Sequence, residues 1–181
     1  MSNVIKHFNV VCTHKWYVFK NCRKAGLFWR GVKHDMSKFS PIEFFESVKN
    51  FDDTRSPIDV CKEKHGWSKA WLHHKGRNSH HYEYWQDNFD NGGKPLKMPY
   101  KDALELVCDY LGAGKAYMKN DFSYSAEYDW WLKKKEKPLA MHPHTLEFIE
   151  NMLYTMAIEN SNDCLRPVRS KFYYKNVRII S

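Results

Sequence analysis

The segment "MPYKDALELVCDYLGAGKAYMK" at residues 98–119 constrains this chain more than any other. Pro99 suits the opening turn of a helix, and the residues after it carry a long helical pattern. Asp109 falls on one face with Leu106, Ala113 and Ala116, while Gly112 and Gly114 keep the neighbouring backbone slim. Aspartate is a poor mid-helix residue, and burying its charge is costly without a partner. An inward-facing Asp109 therefore asks the rest of the chain to supply that partner.

The other segments are also helical in pattern. From about Ser2 to Lys24 the apolar residues fall at helical spacing, and Gly26 reads as the stop. "LFWRGVKHD" continues as a second helix that carries His34 and Asp35. In "SPIEFFESVKNF", Ser40 caps, Pro41 opens the first turn and Glu43 completes a capping box. "PIDVCKEKHGWSKAWLHHKG" is helical with a bend or split at Gly66, and "SHHYEYWQDNF" reads as a short helix. "NGGKP" is a loop, and "SAEYDWWLKKK" and "HTLEFIENMLYTMAIEN" add two helices. Only "KFYYKNVRIIS" is strand-like, which predicts a terminal strand or arm within residues 165–181. The expected fold is an all-α, single-domain helical bundle over residues 1–181.

Composition narrows the function classes. A chain of 181 residues, 43% hydrophobic, is large enough for one sizeable core. No apolar run approaches the ~18 residues of a membrane span, so no membrane partner is expected. The cysteines (Cys12, Cys22, Cys61, Cys108 and Cys164) are scattered without a CxxC pair. That argues against a thiolate zinc site and a disulfide framework, and it suits a reducing cytoplasm. The opening "MSNVIKHFNVVCTHK", interrupted by Lys6, His7 and Asn9, does not read as a secretory signal. A net charge of +8 fits either a solvated basic face or an anionic partner such as a nucleotide, nucleic acid or phosphate ester.

Candidate metal ligands lie on several of these segments. His14 shares a stripe with His7, Val11 and Val18, the pattern of a core histidine or of a ligand. The adjacent pair His34 and Asp35 is less ordinary, because a buried Asp35 needs a counter-charge that a shared cation would supply. In "HHKGRNSHH", a continuous helix would align His74 with His81 and His73 with His80. Gly76 and Asn78 favour a break instead, which lets both members of the second pair reach inward. The break turns His74, His80 and His81 inward and leaves His73 behind them or at the surface. The bland alternative is a basic, partly exposed turn.

A histidine, then His-Asp about twenty residues later, then further histidines and a downstream helical Asp resembles the HD superfamily of metal-dependent hydrolases. The matching residues are His14, His34-Asp35 and Asp109. "HDMSKF" is similar to the HD-x-x-K form in which a lysine one turn on faces the substrate phosphate, here Lys38. The later histidines correspond to the extra ligands of two-metal branches. More narrowly, "KAGLFWRGVKHDMSKFSPIEF" followed by "HHKGRNSHHYEYW" resembles a small family of bacterial and phage proteins over roughly residues 7–115, a likeness that brings no activity with it.

The resemblance implies an HD-type bundle and a metal-dependent phosphohydrolase acting on a nucleotide or other small phosphate ester. Two divalent metals, from Mn, Fe, Ni, Co or Zn, would be bridged by Asp35 and would present a hydroxide to phosphorus. His14, His34, Asp35 and Asp109 would hold one metal, and Asp35 with His74, His80 and His81 the other. Asp35 and Lys38 are then the expected catalytic residues, with Lys38, Arg30 and Arg77 as substrate contacts and Lys33 extending the positive rim. Tyr82, Trp85, Tyr84 and Trp71 flank the cluster as core residues or as a platform for a base. Some two-iron members are oxygenases, which gives a second reading. A third is a non-catalytic binding protein for nucleotides or nucleic acid, although "KKKEK" at 133–137 is the one dense charge run and reads as a solvated helix end.

Overall fold

The computed structural model describes residues 2–52, 54–87 and 89–177. Among these residues the fold is an all-α bundle. Its helices are α1 (Asn3–Lys24), α2 (Phe28–Lys33), α3 (Pro41–Lys49), α4 (Pro57–His65), α5 (Lys69–Lys75), α6 (Tyr100–Met118), α7 (Tyr124–Lys135), α8 (Pro143–Glu159) and α9 (Pro167–Lys175). The described residues hold no strand, only an isolated antiparallel bridge between Gln86 and Pro95. None of their helices is long and apolar enough to cross a membrane.

Helix α6 runs through the centre, and every residue from Asp102 to Gly112 on it is buried. Helix α1 lies along it, α7 and α8 form a packed pair, and α8 also contacts α6. Trp131 of α7 and Phe148 and Met152 of α8 are fully buried against α6 residues such as Leu104 and Leu111. Burial of apolar surface on this scale, at about 25 cal/mol per Å², is what orders the bundle.

The contact between α1 and α6 is tight because Gly112 has no side chain. A Cβ there would lie 2.3 Å from Val18 Cγ2 and 3.1 Å from the Val18 backbone nitrogen. We expect Gly112→Ala to cost about 1–3 kcal/mol through overpacking, despite the better helix propensity of alanine. Denaturant titration measures it, and an unchanged midpoint would mean that the helices can part freely.

Four local expectations need correction. The segment LFWRGVKHD does not stay helical through His34-Asp35: α2 stops at Lys33, and Asp35 is left-handed at φ 52°. Lys15 of α1 sets that stop, its Nζ donating to the carbonyls of Val32 and His34 at 2.8 and 2.6 Å. In place of a helix, the described residues of "SHHYEYWQDNF" form a 3₁₀ turn at Tyr82–Tyr84, and Phe89 opens another; Asn88 lies outside the described residues. Ser40 does cap α3, but the Glu43 carboxylate turns away to His73 and His74 rather than closing a capping box. Where a terminal strand or arm was expected, residues Pro167–Lys175 form α9, because a lone strand would leave its backbone unpaired. Tyr174 on α9 donates to the Met98 carbonyl at 2.6 Å, which ties the helix down. Residues 178–181 of that expectation lie outside the described residues.

Candidate metal centre

Four local devices converge at the middle of α6. His14 projects from mid-α1, and Asp109 from mid-α6. His34 and Asp35 sit on the turn after α2 that Lys15 closes. His74 ends α5, whose start is capped by Ser68 accepting from the Trp71 N–H at 3.0 Å. The helix then breaks, and the His74 carbonyl accepts from the Arg77 and Asn78 N–H groups, both at 3.1 Å. That turn brings His80 and His81 back beside His74.

The result is two overlapping groups of ligand atoms, each within 4.8 Å of one another: His14, His34, Asp35 and Asp109, then Asp35, His74, His80 and His81. Asp35 belongs to both. Its Oδ2 lies 3.3 Å from the Nε2 atoms of His14 and His34, and its Oδ1 lies 3.3 and 3.4 Å from those of His74 and His80. Asp109 Oδ1 completes the first group at 3.1 Å from His14 Nε2 and 3.2 Å from His34 Nε2. His81 Nε2 lies 2.9 Å from His74 Nε2 in the second. Donors held about 2.0–2.1 Å from one cation sit roughly 3–3.5 Å from each other, so the spacing suits metal ligation.

The groups behind the ligands decide which nitrogen faces the centre. Glu105 Oε1 lies 3.0 Å from His34 Nδ1 and 3.5 Å from His80 Nδ1. Glu43 Oε2 lies 2.8 Å from His74 Nδ1, with its other oxygen 2.6 Å from His73 Nδ1. Each carboxylate accepts an Nδ1–H and leaves Nε2 basic toward the centre, the usual support of a metal-binding imidazole. Glu105 is in turn held by Arg30, which also pairs with Asp102. A third group of possible ligands, His34, His80 and Glu105, overlaps these supports.

The ionisation states decide which of these groups can donate to a cation. Asp35 is 1% exposed with Lys38 Nζ against its Oδ2, while the Nε2 atoms of His14 and His80 are buried without a hydrogen bond. Burial opposes ionisation of Asp35, but His34, Lys38 and His74 outweigh it and hold the carboxyl well below its ordinary range. His34 is pushed up despite complete burial, chiefly by Asp35 and then by hydrogen bonds to Asp109, Asp35 and Glu105. Burial pushes His80 well down and His81 to about 3, so both are neutral lone-pair donors at pH 7. Ionised carboxylates beside imidazoles, two of them held neutral, and with no thiolate among them form a donor set for divalent metal ions.

The remaining expected site residues take distinct positions. Lys38 Nζ lies 2.6 Å from Asp35 Oδ2 and lines a cavity of about 150 Å³ with His7, His14, Asp109 and Tyr117. Burial works against the Lys38 charge, but Asp35 and Asp109 hold it above the ordinary lysine range. Arg77 and Lys33 line a separate cavity of about 270 Å³ that reaches His80, while the Arg30 guanidinium beside them is engaged by Asp102 and Glu105. Trp71 packs against His74 and His81, and Tyr82 and Trp85 pack against the core. Lys133, Lys134 and Lys135 end α7, where Lys135 pairs with Glu150.

Glu43, Glu105 and Lys15 are the supports that sequence reasoning missed. Glu105 lies one helical turn before Asp109 and so shares its face, a signal that was present. The distance of Glu43 from Ser40 fits a capping box, and nothing local marks Lys15.

Fold and site together define an all-α protein built around a buried histidine–carboxylate centre able to hold metal ions. The chain belongs to a family of unknown function, DUF5662, whose profile matches residues 3–155 and so spans every ligand named above. Neither the curated proteins nor the solved structures contain a match to it.

Proposed function

We propose that the protein is a metal-dependent phosphohydrolase with a two-metal centre, acting on a nucleotide or another small phosphate ester. The observation that carries this reading is the split of Asp35, whose two oxygens face separate histidine sets. His14, His34, Asp35 and Asp109 would hold one divalent cation, and Asp35, His74, His80 and His81 a second. Bound there, such cations supply charge neutralisation at phosphorus and lower the pKa of a water. Resemblance of this ligand pattern to the HD superfamily supports the same class.

The chain's own groups account for positioning. Lys38, charged and lining the cavity beside Asp109, binds a non-bridging phosphate oxygen. His7 on the same wall is pushed down to about 4, first by burial and then by Lys38, so it adds no positive charge at pH 7. Glu43 and Glu105 keep His74 and His34 in the tautomer that offers Nε2.

Metal analysis of the purified protein, followed by phosphate release from nucleotides with and without chelator, tests the reading. We expect up to two metals per chain and chelator-sensitive phosphate release. Iron with O₂ consumption and no phosphate release would favour an oxygenase instead. For Lys38→Ala we expect unchanged metal content and a KM raised about tenfold, the loss of one charge-assisted contact. An unaltered KM removes Lys38 from substrate binding.

A further inference from the structure

A second cavity, of about 430 Å³, adjoins the one at the metal centre, and the two share Ser56, Ala113 and Tyr117 as walls. Its other walls include Tyr110, Gly114, Glu127 and Trp130. Glu127 is 2% exposed, and its Oε2 is buried with no hydrogen bond. The Tyr110 hydroxyl is buried without a partner as well. Two unpartnered polar groups on one cavity are costly, and a ligand that hydrogen-bonds both removes the cost. Gly114 is what admits the carboxyl, since a Cβ there would lie 1.8 Å from Glu127 Oε2. The Trp130 indole is partly exposed and meets the Tyr110 ring edge-to-face at 5.2 Å, giving the cavity an aromatic wall.

We propose that this cavity is the base-binding subsite for a nucleotide whose phosphate lies at Lys38 and the metal centre. The base lies against Trp130 and Tyr110, and Glu127 reads its hydrogen-bonding edge. Aromatic walls serve any base, whereas a buried carboxyl selects among them. Gly114 follows Asp109 by five residues, about 7.5 Å along α6, which leaves space for a sugar between phosphate and base. Burial, aided by the charge on Asp109, pushes Glu127 up to about 8, so it keeps its proton at neutral pH. A protonated carboxyl offers one donor and one acceptor side by side. That pair matches the ring nitrogen and exocyclic amine of adenine or cytosine.

This subsite rests on the phosphohydrolase reading, so its test uses ligands without phosphate. In isothermal titration of the metal-loaded full chain, adenosine or cytidine should bind at least about tenfold more tightly than ribose. Glu127→Met should lose that preference without lowering the melting temperature, because the methionine leaves no buried carboxyl unpaired. Glu127→Gln keeps a donor and an acceptor and should retain the preference. Trp130→Ala, at a partly exposed position, should weaken nucleoside binding about tenfold and covers the case in which Glu127→Met fails to fold. Equal binding of nucleosides and ribose, or an undiminished preference in Glu127→Met, overturns the subsite. Phosphate release without base preference rejects the subsite alone, and base preference without phosphate release rejects the phosphohydrolase alone.

Discussion

Asp35→Ala should empty both metal positions at once, whereas Asp109→Ala should empty only one. The asymmetry follows from the contacts: Asp109 Oδ1 faces His14 and His34, but Asp35 turns one oxygen to that pair and the other to His74 and His80. Loss of a supporting group behind a ligand costs about 10–100-fold in metal affinity, so loss of a bridging ligand should exceed that at both positions. Alanine would also sit at φ 52°, a conformation that costs about 1 kcal/mol for a residue with Cβ and no compensating side chain. Asp35→Asn separates the two effects, because asparagine tolerates the left-handed backbone yet carries no charge. Metal content by mass spectrometry and helicity by circular dichroism are the readouts. Full metal content in either Asp35 variant would show that the ligand assignment is wrong.

Freed of metal by chelator, the protein should be most stable near pH 6.5 and lose stability in both directions. On the acid side His7 is pushed down to about 4, chiefly by burial, and His81 to about 3, with His80 also well below its ordinary range. Below the unfolded value of about 6.5, the unfolded chain takes protons that these native groups refuse. Stability therefore falls as pH falls, by about 3 kcal/mol for His7 alone at pH 4 and below. On the alkaline side the signs reverse. His34 is held above its ordinary range, so its contribution is present below about pH 6.5 and is lost as pH rises through its folded value. Glu127, raised by burial to about 8, also loses stability as pH climbs from the ordinary glutamate value toward 8. Three histidines outweigh this single glutamate on the acid side. Denaturant midpoints between pH 4 and 9, with chelator present, measure the profile. A flat acid limb would contradict the burial of neutral histidines at the centre.

Much of this architecture was legible because helices announce themselves locally. Pro41 and Ser40 mark the start of α3, Gly66 divides α4 from α5, and the stripe of His7, Val11, His14 and Val18 is buried as its spacing implies. The segments misread were those decided by distant partners. The helix carrying "LFWRG" stops before His34 because a lysine of α1 reaches its last carbonyls, and local propensity says nothing of that. Glu43 satisfies the pattern of a cap, yet two imidazoles on α5 hold its carboxylate. Tyr173 and Tyr174 look strand-forming, but with no strand among the described residues to pair with, docking on the bundle as a helix serves them better. The ligand histidines stand out in the sequence by type and spacing. Their supports do not, since glutamates in helices are ordinary until their burial is known.

The close approach at Gly112 bears on how this chain can change over time. The separation between His14 and Asp109 is set where α1 settles on Gly112, with Val18 Cγ2 2.3 Å and the His14 carbonyl 3.4 Å from where a Cβ of residue 112 would stand. Apolar side chains elsewhere in the bundle are therefore at liberty to drift in size, trading volume among themselves, without altering the gauge of the centre. A lineage could remodel the walls around its substrate many times over while inheriting the same ligand spacing, provided that one hydrogen atom on α6 is never replaced by carbon.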